Sequence, residues 1–577
     1  MSCVLKNQDS VVVLPTGGGK SLCFQAPALA MPGLAVVISP LISLMKDQVD
    51  ALSGVGVSAA CLNSSLSSQE RRDVAEKMRS GTLKLLYVAP ERLLSPGFID
   101  YLKQFPLAFI AIDEAHCISM WGHDFRPEYR DLKRLKSVFP NIAIHAYTAT
   151  ATELVRNDIA KELNLANPEV LVGSFDRPNL IYDVKRRQNL ITQIRQIIDR
   201  HPRESGVIYC IRRKDVDELT DTLSAHKYSV LPYHAGLTDE TRKKNQELFI
   251  QEKVDIIVAT IAFGMGIDKS NVRYVIHAAM PKSLENYQQE SGRAGRDGLE
   301  AECHLIYSGQ DFNIWENIVN NSENQGSEIA LTKLRHIYQY CTGVTCRHQA
   351  LVRYFGQSLE KKSCDACDEC LGGLNLVENR LIIAQKIISG VLRLKESFGG
   401  DYNAMVLTGS SEERILANGH DKLSTYGLLK EFNKRIVRDW IEQLIGQEYL
   451  IKTGEYNVLA VTPKGWKVLR KEETPMLLKP ALKKEKKERV ARIKYDSWQG
   501  VDDLLFEKLR ILRREIAEKQ GVPAFIIFGD AALRDMARKK PATLDAFLDV
   551  TGVGEAKCKA FGQIFLAAIE SYRRKHP

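Results

Sequence analysis

No run of apolar residues in this chain approaches the roughly 20 that a helix needs to cross a bilayer, which excludes a membrane-spanning helix. The chain also lacks a charged opening followed by a short apolar segment, so it carries no secretory signal pattern. A disulfide framework is missing as well. Most of the 12 cysteines, such as Cys23, Cys210 and Cys303, sit singly inside apolar segments and read as small buried hydrophobes. That usage fits a reducing compartment, as in a cytoplasmic protein. Strong net charge is absent too: +9 over 577 residues is mild, so charge matters only where it clusters. The densest cluster, Lys479 to Lys494, holds eight Lys/Arg against two Glu and reads either as a linker or as a phosphate contact.

What is present is a chain too long for one core, with 44% apolar and 26% charged residues, as in an ordinary globular protein of several domains. Its most informative stretch is Asp113-Glu114-Ala115-His116, followed by Trp121-Gly122-His123-Asp124-Phe125-Arg126-Pro127. An acidic pair ending an apolar strand holds Mg²⁺ and polarises water. An aromatic and cationic loop stacks on unpaired bases. Their closeness implies an ATP site wired to a single-strand sensor.

The phosphate-binding element precedes them. The apolar strand Val11–Leu14 runs into Pro15-Thr16-Gly17-Gly18-Gly19-Lys20-Ser21 and then a helix. Glycines allow backbone N–H groups to converge on phosphates at a helix N-terminus. Lys20 is placed to reach the β- and γ-phosphates, and Ser21 to hold Mg²⁺. Asp113, 93 residues after Lys20 behind the strand Phe109–Ile112, is the expected Mg²⁺ partner, and Glu114 the residue that orients or deprotonates water.

Between these motifs strands and helices alternate: Ala35–Ile38, a helix from Ser43, Ala59–Leu62, Leu83–Val88 and Ile142–Ala146 leading into Tyr147–Thr152. This pattern predicts a parallel sheet. A second α/β unit starts near Pro178, with strands at Gly206–Cys210, Ser229–Tyr233, Ile256–Ala259, Val272–Ile276 and Cys303–Tyr307. It has no phosphate loop. It carries Gly264-Met265-Gly266-Ile267-Asp268-Lys269 and Gln289-Glu290-Ser291-Gly292-Arg293-Ala294-Gly295-Arg296 instead. If helical, the latter puts Arg293 and Arg296 on one face, ready to supply guanidinium charge across a cleft.

Beyond the motor, Cys346, Cys364, Cys367 and Cys370 offer four thiolates for a tetrahedral structural Zn²⁺. Nearby Arg347, Arg353, Lys361 and Lys362 are either phosphate contacts or solvated. Helices at Tyr426–Phe432 and Lys434–Gln447, then strands Tyr449–Thr453 and Asn457–Thr462 joined at Gly454-Glu455, read as a winged helix. Lys434, Arg435 and Arg438 make one end of its second helix basic. From Trp498 to Arg574 amphipathic helices follow one another, broken at Thr551-Gly552-Val553-Gly554. That break is either a phosphate cradle assisted by Lys557 and Lys559 or a tight turn.

These motifs, in this order, resemble the RecQ family of superfamily 2 DNA helicases essentially end to end; the loop Trp121–Tyr129 is the most specific match, with Met120 where many members carry Gln. The resemblance implies an α/β fold of two RecA-like lobes followed by a zinc-binding helical module, a winged helix and a small all-α domain. The expected division is 1–177 for the first lobe, 178–312 for the second, 313–374 for the zinc module and 375–475 for the winged helix. A basic linker at 476–497 and a helicase-and-RNaseD-C-terminal (HRDC) domain at 498–577 complete it. It further implies ATP, Mg²⁺ and Zn²⁺ as cofactors, 3′ to 5′ unwinding in recombination and repair, and catalysis by Lys20, Asp113, Glu114, Gln289, Arg293 and Arg296. Thr16, Gly17, Gly18, Gly19, Lys20, Ser21, Asp113, Gly266 and Asp268 are the implied nucleotide contacts, and Ser21 and Asp113 the implied Mg²⁺ ligands. His116, Trp121, Phe125, Arg126, Lys434, Arg435 and Arg438 are the implied DNA contacts. Expected partners are single-stranded and duplex DNA, a single-strand DNA-binding protein and recombination proteins.

One departure is large. The family opens its motor with a helix carrying an adenine-reading Gln in an Arg-x-x-Gln context. Here Met1–Lys6 resembles only the tail of that helix, and Gln8 lies too late to read adenine. That departure leaves open a DNA-binding or annealing protein whose ATP site is impaired; an RNA-acting ATPase is the other rival, because contacts through phosphates and stacking do not distinguish the sugar.

Overall fold

The computed structural model describes residues 1–63, 66–261, 263, 269–321, 326–361, 363–372, 376–454, 457–479 and 498–576. Gly266 and Asp268, most of the Lys479–Lys494 cluster, Lys362 and the Glu455 end of the hairpin lie outside the described residues.

Near-continuous apolar runs build two parallel sheets, because strands covered by helices on both faces leave no polar side. The first contains β1 Ser10–Val13, β2 Leu34–Ile38, β3 Ala59–Leu62, β4 Leu85–Val88, β5 Leu107–Ile112, β6 Ile144–Thr148 and β7 Glu169–Val172, in the order β3-β4-β2-β5-β6-β1-β7. All of its pairs are parallel, with Val11 opposite Ala146 on one side and Val170 on the other. This order sets the strand ends of β5, β6 and β1 side by side, so the acidic pair, the threonine segment and the phosphate loop share one edge.

The second sheet contains β8 Leu180–Arg186, β9 Ser205–Tyr209, β10 Val230–Tyr233, β11 Ile256–Ala259, β12 Val272–His277 and β13 Ala301–Tyr307, in the order β10-β11-β9-β12-β13-β8, again all parallel. Strands β7 and β8 have no counterpart in the sequence reading. β7 is largely exposed, and β8 alternates buried and half-buried positions, so neither forms a solid apolar run.

Of the cysteine-bearing module's helices, Ser327–Thr342 packs in the second lobe's core and Arg347–Tyr354 straddles both lobes. Val352 and Phe355 pack in the first lobe's core, whereas Leu351, Cys346 and Cys367 pack in the second's. The winged helix has helices Arg380–Arg393, Gly400–Thr408 and Lys434–Gly446, and an antiparallel hairpin of β14 Leu450–Thr453 and β15 Val458–Val461. Residues 426–432 form successive turns rather than the expected helix, with Gly427 at φ +67° breaking the run. Helices Asp503–Gln520, Asp530–Lys539 and Glu555–Lys575 close the chain around Leu505, Phe528 and Phe565. This last unit rests on the second lobe through Arg513 and Glu252, 3.3 Å apart. Among the described residues no helix is long and apolar enough to cross a membrane.

Candidate active site

The phosphate loop turns between β1 and the helix Leu22–Ala30. Gly17 and Gly19 take φ of +81° and +77°, a conformation that side chains with a Cβ rarely adopt. Its first residue is tied to the neighbouring strand: Leu14 N donates to the Thr148 carbonyl at 3.1 Å. Lys20 Nζ donates to the Leu14 carbonyl at 3.1 Å, and burial pulls its pKa down against the opposing pull of Glu114 and Asp113.

Asp113 N donates to the Ile38 carbonyl at 2.8 Å and Asp113 Oδ1 accepts the Glu114 N–H at 3.0 Å. Burial raises the pKa of both carboxyls, and the Glu114 charge raises that of Asp113 further. Glu114 has a left-handed backbone, φ +47°, which costs a non-glycine residue on the order of 1–3 kcal/mol. That conformation ends the strand and opens the short helix Ala115–Ile118. Glu114 Oε2 is buried without a hydrogen-bond donor, 3.4 Å from His116 Nδ1. Two buried, charge-starved carboxyls beside a lysine and a glycine loop suit a divalent cation with a polyphosphate. Mg²⁺ there would be held by Asp113 and Ser21 and would neutralise phosphate charge.

From Glu114 a continuous chain of contacts crosses to the second lobe. His116 Nδ1 lies 2.9 Å from Thr148 Oγ1, and its ring stacks on His123 with centroids 4.0 Å apart. His123 Nε2 lies 3.3 Å from Gln289 Oε1. Lys282 Nζ donates to the His123 carbonyl at 3.3 Å, and Lys333 Nζ to the Trp121 carbonyl at 2.6 Å. The aromatic loop is thus gripped by the second lobe and by the cysteine-bearing module at once. Gly122 lets it fold so tightly: a Cβ there would sit 2.2 Å from the His116 carbonyl oxygen. Trp121 is 42% exposed, available for stacking. Arg130 lies over the Phe125 ring at 5.3 Å, and Arg126 donates to the Pro40 carbonyl at 3.2 Å. His116 is fully buried, so it works beneath the loop rather than on the nucleic acid.

Opposite the phosphate loop stands the arginine segment. Its helix spans Leu284–Ser291 and ends before Arg293, so Arg293 and Arg296 occupy the following turn rather than one helical face. The turn nonetheless reaches the first lobe. A Cβ on Gly17 would meet Arg296 Cγ at 3.3 Å, and one on Gly292 would meet Thr16 Cβ at the same distance. The positive charge of Arg293 favours the ionised form of Glu114.

The four thiol sulfurs of Cys346, Cys364, Cys367 and Cys370 all lie within 4.8 Å of one another. Tetrahedral Zn–S bonds of about 2.3 Å demand S···S separations near 3.8 Å, so the cluster fits. Hydrogen bonding from Cys364 and from the Arg347 and Cys370 N–H groups lowers the Cys367 pKa to about 5, which favours thiolate. Arg347 is buried and spent on Asp368 and Glu369, at 2.9 Å each, so it braces the cluster and is withdrawn from solvent.

Five family models match in this order: DEAD/DEAH box helicase over residues 1–157, helicase conserved C-terminal domain over 189–298, RecQ zinc-binding over 309–371, RQC domain over 379–487 and HRDC domain over 502–569. The ATP-dependent DNA helicase RecQ of Bacillus subtilis is 41% identical over 570 residues, covering 98% of this chain and 94% of that protein. The chain belongs to the RecQ family of ATP-dependent DNA helicases. RecQ proteins of Pasteurella multocida and Haemophilus influenzae are 42% and 41% identical, over 100% and 99% of this chain and 91% and 93% of theirs.

Within this RecQ fold the winged-helix residues divide. Lys434 and Arg435 are exposed at the start of their helix. Arg438 is bonded to Glu442 and lies 3.2 Å from Asp401, so its guanidinium is engaged inside the protein. In the HRDC domain Gly554 caps the helix Glu555–Lys575, while Lys557 donates to the Ile526 carbonyl at 2.8 Å, so the Gly-x-Gly segment is built as a helix-opening turn. Sequence reasoning passed over Lys282 and Lys333 as parts of the site. A lysine far along the chain carries no local motif, and only the packing of the second lobe and the cysteine-bearing module against the first brings these two to the loop.

Proposed function

We propose that this RecQ helicase tracks 3′ to 5′ on single-stranded DNA and separates the duplex ahead of it, hydrolysing ATP between its two lobes in recombination and repair. The observation that carries this reading is the unbroken path Glu114–His116–His123–Gln289, which joins the hydrolytic carboxylate to the sensor loop and to the opposite lobe.

In this reading Thr16, Gly17, Gly18, Gly19 and Ser21 cradle the triphosphate, and Gly266 and Asp268 are further nucleotide contacts. Lys20 carries the β/γ-phosphate contact, and Ser21 and Asp113 hold Mg²⁺. Glu114 orients and deprotonates the attacking water, and its raised pKa suits an acceptor of a proton at neutral pH. Arg293 and Arg296 stabilise charge on the transferred phosphoryl group, and Gln289 reports closure to the loop. Trp121, Phe125 and Arg126 meet the single strand; Lys434 and Arg435 meet duplex phosphates. Zn²⁺ held by the four cysteines cross-links the module that straddles the lobes. The proposed domain boundaries fall after residues 177, 312, 374, 475 and 497. The cytoplasm is the proposed location, and a single-strand DNA-binding protein and recombination proteins are the proposed partners.

The test is ATP hydrolysis by the purified chain with and without single-stranded DNA, beside Glu114→Gln, followed by unwinding of duplexes bearing a 3′ or a 5′ tail. Stimulation by DNA over RNA, lost in the variant, with opening of the 3′-tailed substrate, supports the reading. Good DNA binding with unstimulated hydrolysis would instead assign the chain to annealing.

A further inference from the structure

One densely bonded guanidinium at the junction of the lobes belongs to none of the motifs. Arg177 lies between β7 and β8, in the segment that joins the two sheets. An arginine has five N–H donors in a fixed fork, and here all five find acceptors. Nη1 donates to the Thr16 carbonyl at 2.9 Å and to the Gly292 carbonyl at 3.4 Å. Nη2 donates to the carbonyls of Ala294 at 3.2 Å and Gly295 at 3.0 Å, and Nε to Asn179 Oδ1 at 3.4 Å. Among the described residues it has no carboxylate partner.

The choice of acceptors is what matters. Thr16 belongs to the phosphate loop. Gly292 immediately precedes Arg293, and Ala294 and Gly295 immediately precede Arg296. One side chain therefore fixes the backbone on both sides of Arg293 and Arg296 and ties it to the loop that cradles phosphate. Neighbours reinforce the turn but not the tie. Asn179 Nδ2 donates to the Gly295 and Leu299 carbonyls, both at 2.9 Å, and Gln288 Nε2 donates to the Phe175 carbonyl at 3.1 Å. Of these side chains only Arg177 also reaches the phosphate loop.

We infer that Arg177 is a positioning residue for ATP hydrolysis: it travels with the arginine turn and, through Thr16, locks that turn against the phosphate loop when the lobes close. Three of its five bonds stay on the turn, so opening the cleft need break only the Thr16 bond. Arg177 touches neither nucleotide nor water in this role; it sets where Arg293 and Arg296 stand.

The inference rests on the proposed hydrolytic role of the two arginines, and the test separates the two. Arg177→Lys keeps charge and length, but a three-donor ammonium cannot span the four carbonyls. At saturating ATP and single-stranded DNA its kcat falls by roughly a hundredfold, the scale of a misplacement of about 1 Å in a catalytic group. The Kd for a fluorescent ATP analogue stays near that of the intact chain, and amide exchange speeds up both at Thr16–Gly19 and at Gly292–Asp297. Arg177→Ala is measured beside it, with the lysine variant deciding the outcome should the alanine chain fail to fold. A lysine variant with the intact chain's kcat overturns the inference. So does a rise in nucleotide Kd with kcat preserved, or a fall in kcat with exchange unchanged at both segments. If the intact chain itself shows no DNA-stimulated hydrolysis, the proposed function fails, while the exchange measurement still decides whether Arg177 ties the two segments together.

Discussion

His116 and His123 lie with their rings stacked, centroids 4.0 Å apart and planes 17° from parallel. His116 follows the strand end that carries Glu114, and His123 sits in the loop that presents Trp121. Burial lowers the pKa of His116 to about 4 and that of His123 well below the ordinary value, so both rings are neutral at working pH. Two imidazolium rings at this separation would repel; two neutral ones pack. The contact therefore passes position rather than charge between the acid and the loop.

Removing one ring should uncouple the two ends. His123→Ala deletes the stack together with the contact to Gln289 and leaves Trp121 and Glu114 in place. The ratio of DNA-stimulated to basal ATP hydrolysis should fall by roughly tenfold, about 1.4 kcal/mol of transition-state stabilisation. An unchanged ratio would show that the signal takes another route, and Lys282 and Lys333 would be the next side chains to remove.

Glu114→Gln keeps the size of the side chain and removes the proton acceptor. The buried site next to Lys20 and Arg293 tolerates a neutral amide, so nucleotide affinity should hold. Turnover should drop by roughly 10²- to 10⁴-fold, the range for loss of a general base. Single-turnover hydrolysis alongside nucleotide titration separates the two effects. Loss of binding with turnover preserved would mean that Glu114 acts as a ligand rather than a base.

How much of this was legible beforehand depends on where each signal sits in the chain. The phosphate loop and the acid pair each lie at the end of an apolar strand, and the four cysteines announce themselves by spacing, so these were readable. The arginine turn was found, but its geometry was not. Gly292 and Gly295 end the helix there, whereas an i, i+3 spacing suggested that it continues. Arg438 looked like a DNA contact because its partners Glu442 and Asp401 lie on other turns and elements. Arg177 was invisible for a related reason: its acceptors are backbone carbonyls, which leave no trace in residue type. The sharp limit is thus between chemistry carried by side-chain identity and chemistry carried by lobe-to-lobe placement.

Zinc should be a condition of the motor's architecture as well as of its own module. The helix that Cys346 caps buries Leu351 in one lobe's core and Val352 and Phe355 in the other's. Phe355 stacks on Phe175 with centroids 4.4 Å apart, beside the inter-lobe segment. Metal analysis should return one zinc per chain. Cys364→Ser, or stripping with a strong chelator, should make the inter-lobe segment sensitive to protease and lower the melting temperature, because the binding energy of a structural zinc is folding energy. A zinc-free chain with unchanged melting and unchanged protease resistance would refute this.

Acid should destabilise the first lobe through His145. Its Nδ1 lies 2.8 Å from Ser10 Oγ, its Nε2 is buried without a partner, and the ring stands edge-on to Phe109. Asp9 favours the charged ring; the N-terminal amine and Lys136 oppose it. Burial dominates and lowers the pKa to about 4. In the unfolded chain the same group titrates near 6.5, so between the two values the unfolded state binds a proton that the folded state refuses. The contribution is fully present above about pH 6.5 and is lost as pH falls towards 4, amounting to about 2 kcal/mol at pH 5. His145→Gln removes the titration while keeping a neutral polar side chain. Urea unfolding followed at pH 7.5 and at pH 5.0 should show the intact chain losing more stability on acidification than the variant, by about that 2 kcal/mol. Equal losses in the two chains would mean that His145 is protonated in the folded lobe, which the orphaned Nε2 could accommodate only if water reached it.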